Sequence, residues 1–498
     1  MPSFSLQQLL QQFLYDPAHP LLFNDGFFVY FFTVFICLYY ALRHHMLGRS
    51  VLVSLFSLYF FYKASGSFVV LVVVSAIIDY VLSNKIHVTT NKLHRKLLLA
   101  LSVTFNLGLL FWFKYTNFFI ELSNQLFSTH ISMLNLLLPI GISFYTFENL
   151  SYTIDVYEGK LEPEKRFVDY LLFLAFFPKL VMGPIVRASD FIPQLKKPFY
   201  VSTADFAKGF YLIFSGLFKK LIISDYLTLN IVNYIFENPA QYTGLECLVA
   251  VFAYAIVIYC DFSGYSDAAI GIAKWMGITI PSNFDSPYQS KSITEFWRRW
   301  HISLSNWLRD YLYIFWLGGN RKGKLRTYIN LLITMLLGGF WHGAKWTFIV
   351  WGGLHGLALI VHKLWAARTA KPLAAVNNTP WYNALAAFVT FLFVCFCWIF
   401  FRADNFDIAA GMIRQIGTNL SFDAAIVSGF WGNYKPVVGM MLLGYVLHLI
   451  PQRIPDYITV RFIERTPLFG YLIASLVFVY AYAQVKSATP VMPIYLQF

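Results

Sequence analysis

The sequence predicts an all-α, polytopic integral membrane protein of about 11–13 spans, counting partial or re-entrant helices. Three observations predict it. Of 498 residues, 58% are hydrophobic and 13% charged, against roughly a quarter charged in a soluble domain. Apolar runs recur at the ~17–25-residue length that crosses a bilayer. The runs lack the alternation of a membrane strand, which argues against a closed barrel.

Taken in order, Leu6, Leu9, Leu10, Phe13 and Leu14 recur at helical spacing, predicting an interfacial amphipathic segment over residues 1–20. The first 26 residues hold no Lys or Arg, so a cleavable signal peptide with a basic n-region is not expected. One membrane domain is expected over 21–485, with a C-terminal tail at 486–498. Its first spans fall near Phe27–Leu42, Val51–Tyr62, Phe68–Leu82, Leu97–Ile120 and Leu134–Tyr152. Lys and Arg gather in the loops 43–49, 84–96 and 157–167 and are absent from 121–132. The positive-inside rule then puts those basic loops in the cytoplasm and the N-terminus on the opposite, outer side of the membrane. Pro139 with Gly141, and Pro178 with Gly183 and Pro184, predict broken helices in apolar surroundings. Arg187, next after, reads as an interfacial anchor.

Further spans are expected near Phe206–Ile223, Cys247–Cys260, Leu325–Phe340, Thr347–Val361, Leu385–Phe401, Val437–Ile450 and Leu468–Tyr482. Residues 367–380 and 417–434 read as polar loops, and Gly319–Arg326 as a basic turn. The net charge of +13 suits cytoplasmic loops and lipid headgroups, so membrane lipid is an expected partner and nucleic acid is not. Five cysteines lie in or beside apolar runs without metal-ligand spacing, and the Cys395–Cys397 pair reads as packing.

Polar chemistry concentrates between Asn283 and Gly343, with a motif core over 281–356. Ionisable groups at membrane depth are costly, so a cluster of them points to function. Ser292 and Glu295 have capping-box spacing and predict a helix start. One continuous helix is expected from there to Gly318–Gly319. It would place Trp297, Trp300, Leu304, Trp307, Leu308 and Tyr311 on one face, and Arg299, Ser303, Asn306 and Asp310 on another. Arg298, Arg299 and Arg309, with Arg321 and Lys322, form a basic cluster that either grips donor phosphates or is an ordinary cytoplasmic loop.

His342, between Gly339 and Gly343, is the candidate catalytic base. The glycines would leave room for a narrow ligand, and a neutral imidazole there can take a proton from a hydroxyl attacking a thioester. His301 is the natural second member. His355, Asp261, Asp310 and Asn306 are candidate supporting residues, although Gly352 and Gly356 read first as helix packing around His355. No spacing supports a metal site.

These stretches resemble the membrane-bound O-acyltransferase family. Asn283-Phe284-Asp285-Ser286-Pro287-Tyr288, Phe296-Trp297-Arg298-Arg299-Trp300-His301-Ile302-Ser303-Leu304-Ser305 and Trp307-Leu308-Arg309-Asp310-Tyr311 carry one motif. Gly338-Gly339-Phe340-Trp341-His342-Gly343-Ala344 carries the second. Supporting stretches run from Leu21-Leu22-Phe23-Asn24 to Phe400-Phe401-Arg402-Ala403, and the likeness is greatest to the bacterial branch that modifies alginate and teichoic acids. The resemblance implies a helical bundle with a central tunnel, His342 as catalytic histidine and His301 as its partner. It also implies acetyl-CoA as donor substrate, with no permanently bound cofactor, a periplasmic acetyltransferase partner and a polysaccharide acceptor. D-alanyl or lipid acyl transfer from a carrier-protein thioester, a glycan-precursor transporter and a structural subunit are the competing readings.

Overall fold

The computed structural model describes residues 11–17, 20–23, 25–321, 323–369, 379–451, 453–485 and 491–494. Most of the predicted amphipathic segment, most of the C-terminal tail and Lys322 lie outside them. Among the described residues the fold is all-α, with no strand. The chain forms two compact units, Met1–Phe210 with Ala268–Pro281 and Tyr211–Asp267 with Ser282–Phe498.

The helices of the first stretch are α1 (Gly26–Ala41), α2 (Met46–Ser65), α3 (Val69–Val88), α4 (Lys92–Leu110), α5 (Thr116–Phe127), α6 (Ile142–Tyr157), α7 (Phe167–Ala175), α8 (Phe177–Leu180), α9 (Ala188–Leu195) and α10 (Thr203–Leu217). Local chemistry sets several of their ends. Asp25 caps α1 by accepting from Phe27 N at 2.7 Å. Asn91 caps α4 by accepting from Leu93 N and His94 N. Gly66 separates α2 from α3 at φ 64°, a value glycine adopts without penalty.

The span expected from Leu134 starts only at Ile142. Gly141, at φ 75°, turns the chain, and a Cβ there would overlap the Leu180 carbonyl oxygen. From Ile142 to Val156 α6 is buried throughout, so it is an interior element and not a lipid-facing span. Several of its polar groups are satisfied within the unit, while the hydroxyl of Tyr145 is buried with no hydrogen-bond partner among the described residues. Glu148 pairs with Lys179 and accepts from Val186 N at 3.0 Å. Asn149 accepts from Tyr170 Oη at 2.7 Å. Asp79 on α3 accepts from Ser102, Asn106 and Thr153.

The remaining principal helices are α11 (Gly244–Trp275), α12 (Ile293–Arg299), α13 (Ile302–Trp307, continued by wider turns to Trp316), α14 (Gly323–His342), α15 (Trp346–Thr369), α16 (Pro380–Arg402), α17 (Phe406–Thr418), α18 (Ala424–Leu449), α19 (Arg453–Arg465) and α20 (Pro467–Val485). The polar loop expected at 417–434 is mostly the first half of α18, which carries Pro436 inside it. Residues 367–369 likewise complete α15 instead of opening a loop. Among the described residues, five stretches are long and apolar enough to cross a bilayer: Met46–Val88, Lys92–Phe127, Gly244–Trp275, Trp346–Thr369 and Pro380–Arg402. Shorter apolar helices include Gly26–Ala41. The protein is a multi-pass membrane protein, with fewer full-length spans among the described residues than the apolar runs suggest.

Candidate active site

The site belongs to the unit holding 211–267 and 282–498. Ser292 caps α12 as its spacing predicts, with Oγ accepting from Glu295 N at 3.2 Å while Glu295 Oε2 accepts from Lys291 N at 2.9 Å. The helix does not continue. It ends at Arg299, Trp300 is extended, and His301 turns the chain with left-handed backbone at φ 42°, ψ 56°. The segment 283–285 takes up the freed backbone groups. Asn283 O accepts from Ile302 N at 2.9 Å, and Asp285 N donates to Arg299 O at 3.0 Å. Asn283 Oδ1 accepts from Ser303 Oγ at 2.6 Å and from Ser303 N at 3.2 Å, which caps α13. The break overturns the two-faced continuous helix expected from the sequence. It sends the His301 side chain inward instead.

His301 is 0% exposed. Its ring meets Phe262 of α11 edge-on at 4.6 Å and the indole of Trp341 at 6.3 Å. Burial pushes its pKa down to about 3, so the ring is neutral at physiological pH. His342 ends α14 at 3% exposure, its ring 5.0 Å from Trp341, 5.1 Å from Trp351 and 5.2 Å from Phe401. Both imidazoles thus neighbour one indole, that of Trp341.

The hairpin α14–α15 fixes His342. Cβ atoms built on Gly339 and Gly352 would overlap the carbonyl oxygens of Phe348 and Met335, and one on Gly343 would overlap the Phe348 ring. The glycine space expected to admit a ligand is therefore filled by α15. The reading of Gly352 and Gly356 as packing holds, since a Cβ on Gly356 would meet Leu332 at 3.0 Å. Lys345 to Asp404 at 2.8 Å and Thr347 Oγ1 to Ala403 O at 3.3 Å tie the hairpin tip to the end of α16.

His355 stands one ring further along, 4.9 Å from Trp351. Its Nδ1 accepts from Trp297 Nε1 at 3.3 Å. Trp351 stacks on Trp398 at 5.9 Å, and Trp398 packs on Trp300 at 5.0 Å. These rings form a continuous aromatic wall behind the histidines.

The other candidates fall in different places. Asp261 pairs with buried Lys220 at 2.6 Å and accepts from Ile494 N at 2.8 Å, so it anchors the described part of the tail. Asp267 pairs with Lys219. Asp310 takes both ends of Arg309, at 2.7 and 3.1 Å, and Asn306 is half-buried on α13. Arg298 and Arg299 line a surface cavity of 510 Å³ with Glu295, Asp285, Thr294 and His362. Arg309 and Arg321 do not line it. Arg299 is engaged by Glu295 at 2.8 Å. Arg298 has no carboxylate partner among the described residues. Among those residues no three His, Cys, Asp or Glu side chains gather as a metal set.

Sequence reasoning missed His448. It is 3% exposed, its Nε2 accepts from Tyr288 N at 3.1 Å, and its ring meets Tyr259 at 4.5 Å. The signal was present: a lone histidine inside the apolar run 437–450.

A family model described as MBOAT, membrane-bound O-acyltransferase family, matches residues 164–403, which contain His301, His342 and His355. The peptidoglycan O-acetyltransferase of Helicobacter pylori is 37% identical over 430 residues, covering 80% of each chain. This chain belongs to the membrane-bound O-acyltransferase family. It is an acyltransferase. A probable alginate O-acetylase of Pseudomonas putida is 39% identical over 411 residues, 81% of each chain. The teichoic acid D-alanyltransferase of Bacillus subtilis is 31% identical over 284 residues, 55% of this chain and 70% of that one.

Proposed function

We propose that this acyltransferase takes an acetyl group from acetyl-CoA on the cytoplasmic side of the bacterial inner membrane, for O-acetylation of a cell-surface polysaccharide such as alginate, another exopolysaccharide or peptidoglycan. The observation that carries the reading is the pair of buried imidazoles, His301 and His342, beside the single indole of Trp341 within the family-matched range.

In this reading His342 is the general base. It takes the proton of the attacking hydroxyl as that oxygen bonds the thioester carbonyl carbon. The C–S bond breaks, the imidazolium returns the proton to the leaving thiolate, and an ester remains. His301 stays neutral and acts as a hydrogen-bonding partner, not as a second charge. Arg298, without a carboxylate of its own, offers a guanidinium to the donor's phosphates, with Arg299 beside it. A periplasmic partner protein completes transfer to the glycan, and the N-terminus lies on that side. The likeness to the Bacillus subtilis teichoic acid D-alanyltransferase supports a second reading, D-alanyl transfer from a carrier-protein thioester.

The test is transfer of labelled acetyl from acetyl-CoA by full-length protein in lipid nanodiscs, wild type beside His342→Ala. Loss of label from the donor with wild type alone supports acetyl transfer. A reaction fed only by a carrier-protein thioester would favour the second reading. Equal turnover by both proteins would sink the role of His342.

A further inference from the structure

We propose that the protein holds the phosphate headgroup of an anionic phospholipid in a cavity built around Arg49; this does not rest on the acetyl-transfer reading. Arg49 lies in the first turn of α2 and is 8% exposed. Its guanidinium donates to Lys197 O at 3.2 Å and stands 5.5 Å from the Phe199 ring centre and 6.0 Å from that of Tyr39. Its Nε is buried with no hydrogen-bond partner among the described residues, and no carboxylate there pairs with it. A buried cation without a counter-charge is costly, and a built-in anion site removes that cost.

The cavity has a volume of 260 Å³, room for a phosphodiester with waters, and is lined by Arg49, Ser50, Tyr39, Lys197 and Phe199 among others. A second cavity of 500 Å³ shares Phe199 and Tyr200 and adds Arg43 and His44. No carboxylate lines either. Lys197 is exposed and has no ion pair among the described residues, whereas adjacent Lys196 is engaged by Glu164 at 2.6 Å. Met46 and Arg49, at the start of the 20-residue α2, also bring the positive end of its dipole to the cavity.

The surroundings favour a lipid over a soluble anion. Leu38, Met46 and Leu47, on the ends of α1 and α2, are exposed apolar side chains, and they suit acyl chains but serve no purpose for free phosphate. Tyr39, Tyr40 and Tyr200 line the two cavities, and tyrosine is a residue type enriched at headgroup level. The positive-inside reading puts the 43–49 loop on the cytoplasmic side, where basic pockets between membrane helices take anionic headgroups.

The test uses full-length protein, delipidated in neutral detergent. Lipid binding is counted by native mass spectrometry and checked by thermal shift with phosphatidylglycerol, phosphatidylcholine, inorganic phosphate and glycerol phosphate as separate additions. Phosphatidylglycerol is expected to bind at least about tenfold more tightly than phosphatidylcholine. Arg49→Gln should remove that preference and Lys197→Ala should weaken it several-fold, while Lys92→Ala, an exposed basic control, leaves it intact. Lys197 is exposed, so its variant gives a reading even if Arg49→Gln does not fold. No headgroup preference, or one unmoved by Lys197→Ala, would overturn the site. Equal protection by inorganic phosphate would overturn the lipid assignment.

Discussion

Trp297 and His355 are joined side chain to side chain: the indole Nε1 of Trp297 donates to Nδ1 of His355 at 3.3 Å. The bond fixes the neutral tautomer of His355, with its proton on Nε2. It also leaves His355 engaged with Phe296, Trp297, Trp351 and Phe393 on all sides. Its Nε2 is buried with no hydrogen-bond partner among the described residues, and the ring contacts give it a place in the wall. His355→Ala should therefore lower thermal stability strongly, by about 3 kcal/mol for a buried ring. Trp297→Phe, which loses only the hydrogen bond, should cost about 1 kcal/mol. Thermal unfolding in detergent checks both. A His355→Ala protein of full stability but no activity would instead make it a chemical participant.

The buried neutral state of His301 predicts a pH dependence. Its folded pKa, about 3, lies below its ordinary 6.5, so the unfolded chain binds the extra proton between those values. Its contribution to stability is full above about pH 6.5 and is lost as pH falls toward 3. Unfolding midpoints of wild type and His301→Asn, measured from pH 7.5 down to 4, should converge as the medium becomes acidic. Curves that stay parallel would contradict it.

Asn283 holds the turn on which His301 sits, through two bonds to Ser303. Asn283→Ala removes this cap and should cost about 1 kcal/mol. Acetyl transfer should fall further than that cost implies, because the imidazole loses its mounting. Asn283→Asp keeps the acceptor and should retain most of the activity. Equal losses from the two variants, measured as transfer per correctly inserted molecule, would argue against the capping role.

Gly352→Ala places a methyl on the Met335 carbonyl oxygen. The hairpin α14–α15 would have to open, at a cost of about 1–3 kcal/mol or more. Gly429→Ala, with nothing within 4 Å of its added carbon, is the matched control and should be silent. Size-exclusion profiles and thermal unfolding of the two proteins decide it.

What the sequence made legible was local or strongly periodic. The cap at Ser292 needs only residues three and four positions away, and the long apolar runs announce α3, α4, α15 and α16, although not their ends: α4 stops at Leu110 and α15 runs on to Thr369. The break at His301 was not legible, because its cause, Asn283, reaches it through a tertiary contact. The break at Gly141 was legible from Pro139 and Gly141, but its obstacle, the Leu180 carbonyl, was not, nor was the helix that takes the open space at Gly339. The polar loop expected at 417–434 erred in the other direction, since α18 begins at Ala424 and continues through Pro436. The three motif histidines could be named from the sequence. Their common seat on Trp341, Trp351 and Trp297 required the fold.

The left-handed backbone at His301 decides how that residue can be interrogated. An ordinary L-residue pays roughly 1–2 kcal/mol to sit there, glycine pays nothing, and asparagine is among the few others at ease. An alanine swap would thus confound two losses, the imidazole and the bend. Asparagine separates them, since it keeps the bend and removes the ring. For this enzyme the informative replacement is chosen by a torsion angle before it is chosen by chemistry.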